Sequence, residues 1–157
     1  MRRKWTMLCL LAALAVPAAG HEDGGGIEVE TLAKTGESWN GDALPAYPAG
    51  AAEITVLRIR IPAGTRLPLH KHPVINAGVL LRGELAVETP AGETLHLSAG
   101  DSIVELVGKW HAGRNTGDGP AEIVVFYAGT PDTPITIKAP ADAAAVTTGN
   151  PATADAR

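Results

Sequence analysis

From Ile54 to Ala128 no stretch runs far enough without a turn signal to make a helix of useful length. Pro62-Ala63-Gly64, Arg82-Gly83, Pro90-Ala91-Gly92, Ala99-Gly100-Asp101 and the segment from Asn115 to Pro120 interrupt it, at intervals of roughly eight to twenty residues. The runs between them are rich in Val, Ile, Leu and Thr. Ile54 to Ile61 is the clearest: Leu57, Ile59 and Ile61 share one face, and Arg58 and Arg60 share the other. Further strands are expected at Ile27–Ala33, Ala77–Leu81, Glu84–Thr89, Glu93–Leu97, Ser102–Val107 and Glu122–Ala128. Leu67 to His72 reads as a short strand or an extended loop, and Pro131 to Lys138 as one edge strand. Short strands without helices make an all-β domain, an antiparallel barrel or sandwich.

Four polar side chains of metal-ligand type stand in this apolar pattern: His70, His72, Asn76 and His111. In a strand, residues i and i+2 point to the same face, so the first two imidazoles can aim at one point. Asn76 and His111 join them only if the sheet folds back on itself. Imidazole ligands suit a divalent transition metal (Fe, Mn, Ni, Cu or Zn), whereas Ca and Mg prefer oxygen. Sulfur ligation is not expected, because the one cysteine, Cys9, lies in the apolar N-terminal run.

The spacings resemble those of a known family. Gly64, His70-Lys71-His72, Asn76 and Gly83 are similar to the first motif of the cupins. Gly100-Asp101, Gly108, His111 and Asn115 are similar to the second. Two positions depart: Asn76 stands where glutamate is usual, and Leu106 where proline is common. The resemblance implies a single antiparallel jelly-roll β-barrel over residues 51–138. It also implies a metal held by His70, His72 and His111, with Asn76 in the acidic place. By the same analogy a homodimer is expected. Asparagine offers only a neutral carbonyl oxygen, so a centre lacking the carboxylate is more electrophilic and draws anionic ligands.

Glu105 interrupts the apolar Ser102–Val107 run. If Ile103 faces the interior, so does Glu105, as a substitute carboxylate, a partner for a histidine, or a catalytic acid/base of raised pKa. The opposite parity puts Val104 and Leu106 inside and Glu105 in solvent. Trp110, just before His111, either touches substrate at a pocket rim or packs. His96 reads as outward-facing. Lys71, Arg66, Arg82 and Arg114 are candidates for attracting a carboxylate substrate, and nothing in the sequence chooses among them.

The N-terminal segment is expected to direct the chain outward. Arg2, Arg3 and Lys4 precede the apolar run Trp5–Val16, and Pro17-Ala18-Ala19-Gly20 offers small residues for cleavage. Residues 1–20 read as a signal peptide, too short to span a membrane. Arg2-Arg3 with Trp5 partly matches a twin-arginine signal, while the Leu-rich run suits ordinary secretion. Loss of the three basic residues takes the formal charge from −4 to −7. A mildly acidic domain with no basic cluster is a poor nucleic-acid binder. Residues 21–50 read as an arm and loop, and His21, if N-terminal, can chelate copper. Residues 139–157 are low in bulky apolar side chains and are expected to be disordered.

The expected protein is a periplasmic or secreted metal-binding domain with a small-molecule substrate and no membrane attachment after cleavage. Its activity would be that of a mononuclear metal-dependent dioxygenase; the alternative is a module that captures a small molecule or metal without turnover. N-terminal sequencing of the exported form is expected to begin at His21; a chain retaining Met1 would contradict the export assignment.

Overall fold

The structure, a computed structural model, describes residues 26–140. The expected signal segment with Cys9, the lead-in with His21 and the tail from residue 141 lie outside the described residues. The chain divides into a unit ending at Glu30 and one beginning at Thr31. In the first, residues 26–30 are exposed and form no strand. The strand expected at Ile27–Ala33 is absent, since no strand pairing holds any of those residues.

Nine strands follow, with no helix among the described residues. They are β1 (Glu53–Ile61), β2 (His70–Lys71), β3 (Ile75–Arg82), β4 (Glu84–Glu88), β5 (Thr94–Ser98), β6 (Ser102–Val104), β7 (Ala112–Asn115), β8 (Ala121–Gly129) and β9 (Ile137–Lys138). One sheet has the order β1-β8-β3-β6, a second β5-β4-β7, and β2 pairs with β9. Every ladder is antiparallel. The expected all-β, antiparallel architecture is present, but among the described residues no continuous ladder closes the sheets into a barrel.

The alternation in β1 is realised as read: Ile61 is buried, Leu57 and Ile59 pack against the core, and Arg58 and Arg60 are exposed. Inward residues of the larger sheet (Leu80, Ile103, Ile123, Val125, Tyr127) meet Leu85, Val87 and Leu97 of the smaller one. Burial of each such side chain stabilises the fold by about 1.5–3 kcal/mol.

Two departures matter for the site. The Ser102–Val107 strand stops at Val104, after which the chain turns toward the histidines. Ala112–Asn115 forms a strand that its Ala-Gly-Arg-Asn composition did not advertise. Pairing with β4 holds it there, and the Asn115 side chain locks its end. The Asn115 Nδ2 donates to the carbonyls of Ile61 (2.9 Å) and Gly119 (2.8 Å), and its Oδ1 accepts from the Gly117 N–H (3.0 Å).

Gly83 links β3 to β4 with φ +81°, and a Cβ there would lie 2.8 Å from the Ala121 Cα. Gly92 has φ +90° but open space around it. Gly83→Ala therefore combines left-handed strain with a backbone clash and should cost more than about 2 kcal/mol in urea unfolding. Gly92→Ala carries the strain alone, about 1 kcal/mol. Equal losses would show that the close approach to Ala121 is unimportant.

Candidate metal centre

The segment from Thr65 to His70 runs antiparallel beside β7. The Leu67 N–H donates to the Gly113 carbonyl (2.8 Å) and the Asn115 N–H to the Thr65 carbonyl (2.9 Å). His70 and His111 exchange both backbone hydrogen bonds, at 2.9 and 2.8 Å. Directly opposed residues of an antiparallel pair present their side chains to one face. His72 returns to that face two residues on, and its carbonyl accepts from the Gly108 N–H at 2.7 Å.

The three rings converge. Their centroids are 4.9 Å apart for His70–His72, 4.6 Å for His70–His111 and 5.1 Å for His72–His111. One ligand nitrogen from each lies within 4.8 Å of the others. His72 and His111 are buried and His70 is half-buried.

Each Nδ1 is tied to a backbone carbonyl: His70 to Pro68 (2.8 Å), His111 to Lys109 (3.0 Å) and His72 to Ile135 (2.7 Å). A carbonyl only accepts, so each Nδ1 carries the proton and each Nε2 keeps its lone pair. Such outer partners orient metal-ligating histidines. Two anchors are local, two residues before the histidine. The third comes from the C-terminal segment, 63 residues away. Burial lowers the pKa of all three imidazoles, His72 to about 4, so they are neutral at pH 7 and able to ligate.

A row of polar side chains crosses the inner face of the larger sheet beside them. Asn76 of β3 is opposite Tyr127 of β8 in the register. On its other side the Glu105 N–H donates to the Asn76 carbonyl at 3.1 Å, one step past the Ala77–Val104 pair. Glu105 thus takes the inward parity: its Oε2 lies 3.5 Å from His111 Nε2, and its side chain is 12% exposed. Burial raises its pKa to about 7. Asn76 is fully buried, with Nδ2 donating to the Val74 carbonyl at 3.3 Å.

Asn76 Oδ1, Glu105 Oε2 and His111 Nε2 are buried and have no hydrogen-bond partner. Orphaned acceptors of this kind are costly unless a cation or water meets them. The donor set therefore fits a divalent transition ion, with three imidazole nitrogens and an oxygen at hand.

The histidines and Glu105 line a cavity of about 230 Å³. Its walls are mainly aliphatic, including Leu57, Ile59, Leu85, Val87 and Val125, with Tyr127, Thr136 and Lys138 as the other polar contributors. Burial pushes the Tyr127 hydroxyl up to about 12, which keeps it a donor. Its ring centroid is 5.4 Å from that of His72. Tyr127 follows Ile123 and Val125 at strand spacing, so parity in the sequence could have revealed it. Nothing local marked Ile135, Thr136 or Lys138. Trp110 lies under the Lys71 Nζ, 4.8 Å from its ring centroid, and does not line the cavity. His96 is exposed.

Proton linkage follows from these shifts. His72 binds a proton near pH 6.5 when unfolded and near 4 when folded. Between those values the unfolded chain holds the extra proton, so the metal-free protein loses about 3 kcal/mol from this group as pH falls. His70 and His111 act in the same direction. Glu105 acts oppositely: its contribution is full below about 4.5 and lost as pH rises through 7. Three histidines outweigh one carboxyl, so urea unfolding of the metal-free protein should show net destabilisation from pH 6.5 to 4. Glu105→Gln should steepen that loss; an unchanged slope would mean the carboxyl titrates normally.

The family profile described as "Cupin domain" matches residues 57–127. Among solved structures, the DMSP lyase DddQ of Ruegeria pomeroyi DSS-3 is similar at 26% identity, with TM-score 0.47 over 54% of this chain and 42% of that one. The polyketide cyclase RemF of Streptomyces resistomycificus is similar at 18% identity, with TM-score 0.48 over 57% and 62%. An oxalate decarboxylase of Lactobacillus farciminis is similar at 24% identity, with TM-score 0.47 over 54% and 26%. The chain spans less than two thirds of the length of each. No curated protein matches the sequence significantly. Residues 57–127 thus carry the cupin-domain profile, over the same stretch that holds the two motifs and the three histidines.

Proposed function

We propose that the protein is an exported, mononuclear metal-dependent enzyme of oxygenase type acting on a small, largely apolar molecule. One observation carries this reading: three neutral imidazoles, each with Nδ1 occupied by a carbonyl, aim their free nitrogens into a cavity with aliphatic walls. His70, His72 and His111 hold the ion, with Asn76 Oδ1 or Glu105 as the oxygen ligand. A transition metal bound there supplies Lewis acidity and, for a redox-active ion, electrons for oxygen chemistry beside the bound substrate.

The protein's own groups then have defined work. The aliphatic walls exclude water and strengthen every charge interaction at the centre. Glu105, with a pKa near 7, can hold or release a proton at working pH. Tyr127 remains protonated and can donate a hydrogen bond to a substrate oxygen. The exposed Ile54, Val56 and Phe126 on the larger sheet support the further proposal of a homodimer.

A capture module without turnover is the second reading. It is favoured by the thin supply of acid/base groups, since among the described residues Glu105 is the only carboxyl on the cavity wall.

Metal analysis of the purified exported form, followed by oxygen uptake with a panel of small acids, thiols and diketones, separates the two. The enzyme reading expects uptake that disappears in His111→Ala together with the metal. It also expects Glu105→Gln to lower the rate by about 10²-fold and to flatten the pH profile around 7. Bound metal with no uptake for any redox-active ion would leave the capture module in place.

A further inference from the structure

We propose that the ligand of this centre is a small apolar carboxylate whose carboxyl group is held by Lys138. The proposal rests on the metal-centre reading for the ligand's position, but not for the lysine's role.

Lys138 reaches the site through β9. It is directly opposite His70 in the β2–β9 pair, so both side chains leave the same face. Both line the cavity. The strand is fastened on either side of the contact. The Ile135 carbonyl holds His72 Nδ1, and the Ala139 N–H donates to the Leu69 carbonyl at 2.9 Å. Thr136 and Lys138, two apart, both line the cavity, Thr136 half-buried and Lys138 exposed at its mouth.

The other basic side chains near the motifs are engaged elsewhere. Arg66 and Arg114 both meet Glu88, at 2.8 and 3.6 Å. Lys71 stacks on Trp110. Neither these nor Arg82 line the cavity. Among the described residues, Lys138 is the one lysine or arginine on its wall, and no carboxylate lies within ion-pair distance of it. Glu105 is the only acid on the wall. With a divalent ion in place the centre is net positive whichever state Glu105 takes. An anion is the complement to that charge, and the aliphatic walls complement an apolar body. At 230 Å³ the cavity has room for roughly eight water-sized groups, the scale of a six-carbon acid.

The bland alternative is that the Lys138 stem merely covers apolar wall while its ammonium stays in water. Isothermal titration of the mature protein with hexanoate and with 1-hexanol, with and without Zn²⁺, decides. Wild type is expected to favour hexanoate about tenfold or more, and added KCl should erode the preference. Lys138→Met should lose roughly tenfold in hexanoate affinity while Zn²⁺ and hexanol binding stay within about twofold; Lys138→Arg should retain hexanoate. Equal hexanoate affinity in Lys138→Met, or no preference in wild type, overturns the proposal. If Zn²⁺ fails to bind but the Lys138-dependent preference persists in metal-free protein, this proposal stands and the metal reading falls.

Discussion

The two backbone hydrogen bonds exchanged by His70 and His111 hold the site together. They join segments 41 residues apart and make their side chains cross-strand neighbours on one face. With His72, they bring the three ring centroids within 5.1 Å of each other. His72 follows from the two-residue strand period, and β4, paired with β7, supports the strand from behind. The rigidity of the centre is therefore the rigidity of a sheet, which suits a site that must hold its ligands in fixed directions.

The departure at Asn76 has a local physical account. Glu105 sits beside Asn76 across the β3–β6 ladder, so a carboxylate enters the same neighbourhood from the adjacent strand. Asn76 itself keeps a buried carbonyl oxygen without a partner. Moving the negative charge one strand over leaves it close to His111 and surrounded by apolar wall, which is why burial raises its pKa. A carboxyl in that setting ionises readily beside a cation and, without one, gives up its proton only near pH 7.

The C-terminal segment is the less obvious part of the design. Ile135 presents the carbonyl that sets the His72 tautomer, and Thr136 and Lys138 add polar groups to the cavity wall. A strand of two residues contributes little burial of its own. It is held by its pairing with β2 and by Ile135 packing against the core. The segment that orients His72 therefore also shapes what can approach the histidine cluster.

The strands around Leu57–Ile61 and Ile123–Tyr127 were legible from alternation, because burial on one face selects apolar residues at every second position. The cluster of His70, His72 and His111 was legible too, since motif spacing survives as sequence distance. Sequence left the parity of Glu105 open, because Ile103 and Leu106 are both buried and the strand ends between them at Val104. It did not reveal β7, whose residues have weak β preference and are held by their neighbours. It chose no cation for the substrate, because the register that sets Lys138 opposite His70 joins residues 68 apart. Local pattern determines which residues must be inside. Which distant residues become neighbours is decided only when the sheets pair, because hydrogen bonds between strands carry no signature in either strand alone.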